Sequence, residues 1–214
     1  EFKVQCKGKI ELYEQTFHCW KEKGHGYVNL KEAMKQSCDC YFYEIARKLG
    51  VDRLKITADK FGLGQKVLGE FFANEKSGQF PNTRWKLNNI GKGWVLGETL
   101  ITGIGQGYTQ TTPIQLCLMT AQIANGGYKI KPKILTNDNQ LSSDQVKDVI
   151  KNNNSNNSYT SLFKDPRNIK IVKQAMFSST NEIRGTSYKS RIDDPKYQFA
   201  GKTGTAQVKR ISKR

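Results

Sequence analysis

KQSCDCYFYE, residues 35–44, places a hydroxyl, two thiols and a carboxylate in four successive positions, Ser37 to Cys40, ahead of an apolar run. Tyr41, Phe42, Ile45, Ala46 and Leu49 recur at helical spacing, and Gly50 is a fitting stop. By itself Ser37-x-Asp39 reads as a helix N-cap, since both residue types satisfy free N–H groups there. The crowding of the stretch suggests two tasks meeting at one loop.

A second stretch stands far downstream: FAGKTGTAQ, residues 199–207. Lys202 precedes small residues, Thr203, Gly204, Thr205 and Ala206. β-Type residues around a Gly-rich centre predict a strand over 197–208, with glycine admitting close approach of a ligand backbone. Alternation along it would put Lys202 and Gly204 on one face and the two threonines on the other. A lysine and hydroxyls at such an edge suit a carboxylate; an ordinary strand with a solvated lysine is the plainer reading.

The 214 residues are enough for one large domain or two small ones, and no apolar window is long enough to span a bilayer. Net charge is +16, yet the basic residues are scattered, and only the last 19 residues are one-sided, with six Lys/Arg and no acid. No aromatic-interleaved basic helix accompanies them, so an anionic surface such as a membrane or wall polymer suits the charge, and nucleic acid is not the expected partner.

Along the chain, 1–24 reads as short strands and loops. Asn29 with Glu32 is a capping-box pattern opening a helix near Leu30–Gln36. A further helix runs Val51–Phe61 to Gly62, and the Gly-rich 62–109 reads mostly as loop. Thr112-Pro113 starts a helix reaching Asn125, 128–135 reads as a strand, and 136–160 as an Asn-rich insertion. Asp165-Pro166 opens a last helix through about Ser178. The expected class is mixed α/β, of α+β type. Asp193-Asp194-Pro195 reads as a turn, Glu98 has no evident partner, and Trp20, Trp85 and Trp94 read as packing anchors.

Five cysteines occur, four of them within 35 residues. Cys6, Cys19, His25 and Cys38 together offer three thiolates and an imidazole, the ligand set of a closed structural zinc site. Gly24 and Gly26 would let the backbone turn His25 inward, with His18 and Cys40 as reserve ligands. A Cys6–Cys19 disulfide, or thiols that are merely buried, remain open alternatives.

Ser-x-Asp followed far downstream by Lys-Thr-Gly is the second and third motif of serine D,D-transpeptidases and β-lactamases. GHGYVNLKEAM, SCDCYFYEIARKLGVDRL, FGLGQ, SGQFPNTRW, IGQGYTQTTPIQL, ANGG and GKTGTAQ, in that order, resemble the transpeptidase domain of elongation-type class B penicillin-binding proteins. The likeness covers about 1–135 and 170–208. It implies an antiparallel sheet packed between helices. It also implies an acyl-enzyme route to peptidoglycan cross-links on the periplasmic face of the bacterial inner membrane. Peptidoglycan stem peptides, β-lactams and proteins of the elongation machinery are the implied partners.

The resemblance assigns roles residue by residue. Ser37 would pass a proton to the leaving D-Ala, Asp39 stands where many relatives have asparagine, and Lys202 supplies positive charge. Thr203 and Thr205 would hold the substrate carboxylate beside Gly204, and the Thr205 N–H would form half of an oxyanion hole. The 104–110 stretch would help frame the site. A zinc site is implied as well, some relatives having aspartate where Cys6 and Cys19 stand.

One element departs from this pattern. No Ser-x-x-Lys lies upstream of Ser37, where the nucleophile is expected. The single match, Ser161 to Lys164, lies downstream and precedes a helix instead of opening one, so it reads as a loop serine with a solvated lysine. Residues 1–214 are therefore expected to be a partial transpeptidase domain, incomplete in its sheet and inactive alone. A septal class B transpeptidase, or a non-catalytic penicillin-sensing or structural partner domain, is the competing reading.

Overall fold

The computed structural model describes residues 2–69, 72–132 and 160–206. Two short antiparallel pairs begin the chain: β1 (Val4–Cys6) with β4 (Gly26–Val28), and β2 (Lys9–Leu12) with β3 (Gln15–His18). Among the described residues, seven α-helices follow: α1 (Leu30–Lys35), α2 (Asp39–Leu49), α3 (Val51–Lys60), α4 (Thr83–Ile90), α5 (Leu96–Gly103), α6 (Pro113–Ala124) and α7 (Arg167–Asn181). The mixed helical and antiparallel class is the expected one. No described helix is long and apolar enough to cross a membrane.

Helix α2 is the centre of the core. One side packs Cys38, Cys40 and Tyr41 against Cys6, Cys19 and Val28. Its other side carries Tyr43 to Phe17 and Leu100. Burying these apolar faces is the main driving term for the arrangement. Helix α1 packs on α7 and thereby brings the C-terminal third of the described chain beside the loop that joins α1 to α2.

Three sequence expectations change. First, 62–109 is mostly loop as expected, but it also holds two eight-residue helices that the sequence reading did not place, α4 and α5. Asn82 accepts from the Trp85 N–H at 2.7 Å, and Gly91, at φ 71°, ends α4 in a left-handed cap. The glycines that suggested loop serve helix packing in α5: a Cβ on Gly103 would stand 2.4 Å from the Ala46 Cβ. Secondly, Tyr128 forms only an isolated antiparallel bridge to Ser161; 129–132 is not strand, and 133–135 lies outside the described residues. Thirdly, 200–206 carries no ladder, so the strand expected over 197–208 does not form within the described residues. The Asn-rich stretch falls almost entirely outside them.

The other helix signals hold. Asn29 accepts from the Glu32 N–H at 2.9 Å, but Glu32 turns its own carboxylate to Lys35 and Gln36, so only half of a capping box forms. Thr112 and Gln115 make the full reciprocal box. Gln115 is completely buried and donates to the Gln65 and Ser77 carbonyls, both at 2.6 Å, stitching the long loop to α6. The turn expected at Asp193-Asp194-Pro195 is a 3-10 turn over Pro195–Tyr197, capped by the Asp194 carboxylate.

Candidate active site and metal cluster

Ser37 lies between α1 and α2 in a left-handed conformation, φ 52°, which is unfavourable for a residue with a Cβ and is held here by its surroundings. The segment 201–206 crosses directly beside it. Lys202 Nζ donates a short hydrogen bond to Ser37 Oγ. The same ammonium donates to the Thr203 carbonyl at 3.1 Å and to Thr203 Oγ1 at 3.3 Å. Ser37 Oγ and Thr203 Oγ1 are themselves 3.3 Å apart. Two residues 165 positions apart in sequence thus share one polar centre.

That centre corrects the face assignment made from alternation. Lys202 and Thr203 both turn to Ser37. With no ladder along 201–206, the two-residue period of a strand does not bind successive side chains to opposite faces. The Thr203 hydroxyl is already engaged by Ser37, Lys202 and Thr186. Gly204 faces open space, since a Cβ there would meet nothing within 4 Å. The Thr205 carbonyl accepts from Gln106 Nε2 at 2.9 Å, which ties the 104–110 stretch to the same segment.

Electrostatics at the centre weaken the hold of the Lys202 ammonium on its proton. Burial of the Lys202 ammonium end lowers its pKa, while the nearby Asp39 charge acts in the opposite direction. The Asp39 carboxyl is pushed up to about 6, first by burial, with the Trp20 N–H hydrogen bond opposing. Asp39 does not touch Ser37 through any of these bonds; its Oδ2 accepts from the Trp20 N–H at 3.0 Å.

Trp20 was missed from sequence. It is 60% exposed, so it is no core anchor, and its indole N–H donates to the Gln36 carbonyl at 3.0 Å. Its two hydrogen bonds reach residues on either side of Ser37. Glu98 was likewise misjudged: it pairs with the buried Lys86, Nζ to Oε2 2.7 Å, beside Trp94. Only a contact map reveals either, because neither residue stands in a motif. Trp85 and Trp94 do pack, both against Tyr108.

The expected cysteine and histidine cluster comes together at the Ser37 loop, with Cys38 following Ser37 directly in sequence. The ligand atoms of Cys6, Cys19, His25 and Cys38 all lie within 4.8 Å of one another. His25 Nδ1 is 3.5 Å from both the Cys6 and Cys19 sulfurs. All five cysteines are free thiols, which removes the Cys6–Cys19 disulfide. Gly24 has φ 75°, and a Cβ there would stand 2.2 Å from the Cys6 carbonyl, so only glycine lets His25 turn inward.

Hydrogen bonding ties the ionisation of the buried thiols to one another. Hydrogen bonds from Cys38 and Cys40 lower the Cys19 pKa, and the reciprocal bond to Cys19, then burial, push Cys38 up. Further deprotonation is opposed until a cation neutralises the sulfurs. A tetrahedron of Zn–S bonds of about 2.3 Å has edges of roughly 3.8 Å, so this spacing fits a zinc ion after a small contraction. Cys40 is buried against the cluster, whereas His18 is exposed on β3.

Ser161 lies elsewhere. Its hydroxyl donates to the Phe163 carbonyl at 2.7 Å and accepts from the Phe163 N–H, a loop turn ahead of α7. Lys164 is exposed. The pair does not open a helix, as its sequence position indicated.

Comparison with known proteins agrees with this geometry. The family model for the penicillin binding protein transpeptidase domain matches residues 1–214. The chain belongs to that transpeptidase domain family. It is 35% identical over 200 residues to the peptidoglycan D,D-transpeptidase MrdA of Acinetobacter baumannii, covering 92% of this chain and 28% of that protein. Among solved structures, it is similar to Pseudomonas aeruginosa PBP2 in complex with WCK 5153, at TM-score 0.80 and 37% identity, covering 97% of this chain and 45% of that one. It is also similar to PBP2 of Helicobacter pylori in complex with MreC, at TM-score 0.77 and 31% identity, covering 97% and 36%. The chain therefore spans less than a third of the curated relative's length.

Proposed function

We propose that this chain is the Ser-x-Asp and Lys-Thr-Gly portion of an elongation-type peptidoglycan D,D-transpeptidase. The observation that carries the reading is the Lys202–Ser37–Thr203 centre. In the reaction, a serine supplied by a Ser-x-x-Lys segment attacks the penultimate D-Ala carbonyl of a stem peptide. The peptide bond to the terminal D-Ala breaks as the acyl ester forms. Ser37, its Oγ held by the Lys202 ammonium, passes a proton to the departing amine. Positive charge at Lys202 and the Thr205 N–H oppose negative charge developing on the carbonyl oxygen. A second stem peptide's amine then displaces the serine, closing the cross-link. β-Lactams would stop at the ester stage.

Zinc belongs to the proposal as a structural ion. Cys6, Cys19, His25 and Cys38 would hold it, a set that leaves no position open for substrate. Its chemistry is to neutralise the thiolates and fix the loop that carries Ser37. The substrate places the work on the periplasmic face of the inner membrane, and proteins of the elongation machinery are the partners that follow from it. The elongation reading is preferred over the septal one because of the cysteine and histidine cluster.

Labelling with a fluorescent penicillin tests the reading. This chain alone, without an upstream Ser-x-x-Lys, takes no covalent label. A polypeptide that joins it to such a segment is acylated, and there Ser37→Ala or Lys202→Ala slows acylation at least about a hundredfold. Label on Ser161, or unchanged acylation in both variants, overturns the assignment and favours a non-catalytic domain.

A further inference from the structure

We propose that Thr186 is a positioning residue of the Ser37–Lys202 centre, acting by holding the Thr203 hydroxyl. The inference rests on the roles of Ser37 and Lys202 given above. It is carried by a separate observation, a line of hydroxyls running from that centre into the protein. Thr203 Oγ1 lies 3.2 Å from Thr186 Oγ1, which lies 3.3 Å from Ser179 Oγ. Ser179, in the last turn of α7, is completely buried.

Thr186 is fixed in place from three directions. Its N–H donates to the Lys35 carbonyl at 3.1 Å, two residues before Ser37. The Ser187 N–H donates to the Ser179 carbonyl at 3.1 Å. Gly185 lies so close to α7 that a Cβ would stand 2.2 Å from the Ser179 carbonyl oxygen. The turn after α7 therefore presents one hydroxyl at a defined point between the Ser37 loop and the 201–206 segment.

That segment needs such a contact. It has no ladder within the described residues. Its backbone is held by the Gly201 N–H on the Met176 carbonyl at 3.2 Å, and by Gln106 on the Thr205 carbonyl. Neither bond restrains the Thr203 side chain. A hydroxyl offers one donor and two acceptor sites, and Lys202, Ser37 and Thr186 occupy all three on Thr203. Without the Thr186 hydroxyl, Thr203 is free to change rotamer, and the Lys202 ammonium loses an acceptor beside Ser37.

Thr186→Val keeps the shape and removes the hydroxyl; Thr186→Ser keeps the hydroxyl. In this chain, NMR of the labelled Lys202 side chain reads the effect without chemistry. The ammonium is expected to titrate at lower pH in Thr186→Val and at the parent value in Thr186→Ser. In a polypeptide joining the chain to a Ser-x-x-Lys segment, Thr186→Val slows fluorescent-penicillin acylation about tenfold, the loss of one hydrogen bond's worth of orientation, and Thr186→Ser recovers it to within about twofold. Should Thr186→Val fail to fold, Ser179→Ala decides instead, with a change in the same direction. Parent-like titration and acylation in the hydroxyl-free variant overturn the inference. If Ser37→Ala and Lys202→Ala slow acylation in that same polypeptide, the transpeptidase reading survives the loss; if they do not, that reading fails on its own.

Discussion

The Trp20 N–H donates to the Asp39 carboxylate at 3.0 Å, joining the residue after Cys19 to the residue after Cys38. The Trp20 indole then reaches the Gln36 carbonyl and meets the His25 ring edge-on, with centroids 5.4 Å apart. The cysteine cluster and the Ser37 loop are thus mechanically one unit. Trp20→Phe keeps a ring over His25 and deletes only the bond to Gln36. It is expected to destabilise the protein by about 1 kcal/mol in denaturant unfolding. Equal stability would show that the bracket around Ser37 carries no load.

The purified protein is expected to hold close to one zinc ion per chain. Chelation, or Cys38→Ser, lowers unfolding stability by several kcal/mol, because a cluster of buried thiols without its cation does not pack well. Cys38→Ser also lowers acylation in the active polypeptide, although Cys38 touches no substrate. Cys117→Ser, at an exposed thiol, changes neither. A metal content near zero with every thiol freely titratable contradicts the zinc assignment.

Gly103→Ala pushes a methyl to within 2.4 Å of the Ala46 Cβ and so forces α5 off α2. The expected cost is about 1–3 kcal/mol by thermal or denaturant unfolding. Gly93→Ala, where a Cβ meets nothing within 4 Å, stays within about 0.5 kcal/mol. The packing account is wrong if the two variants behave alike.

Lys86 and Glu98 form an ion pair in which the lysine side chain is only 6% exposed. Glu98 also accepts from the Val95 N–H at 3.0 Å, starting α5. Lys86→Ala leaves that partly buried carboxylate, 21% exposed, without its cation, at a cost of about 2–3 kcal/mol. The paired change Lys86→Met with Glu98→Gln should cost less. A double variant no better than Lys86→Ala would place the damage in packing.

Glu182 joins α7 to α1 through Lys31, Ser178 and Lys35. Lys31 first, then Ser178 and Lys35, lower its carboxyl pKa to about 2 from 4.5. A folded-state pKa below the unfolded one adds stability above about 4.5 that is lost as pH falls through about 2. Since its side chain is 39% exposed, solvent screening holds the contribution to about 1 kcal/mol. Glu182→Gln should flatten unfolding stability across that acid window while leaving the Lys86 pair intact. An unchanged acid slope rules Glu182 out as its source.

Local chemistry made much of this protein legible in its sequence. Asn29, Gly50, Thr112 and Pro113 mark helix ends because capping and φ preferences act within one turn. The Cys6, Cys19, His25 and Cys38 set announces itself because soft ligands of that type rarely cluster without use. Ser37 and Lys202 were nameable as site residues through their motifs.

What stayed hidden depends on contacts between distant segments. Gly97 and Gly103 read as loop residues because a missing side chain looks the same in a turn and in a close helix crossing; only the approach of Phe17 and Ala46 distinguishes them. Trp20, Glu98 and Thr186 acquire partners solely by folding, since a lone tryptophan, acid or threonine has no local signature. Alternation misplaced Thr203 because a strand period holds only where a ladder enforces it. Sequence determined several helix ends, the candidate metal donors and the candidate reacting groups; tertiary structure decided which of them share a hydrogen bond, because that depends on atoms brought within about 3 Å by the packing of helices that no local rule positions.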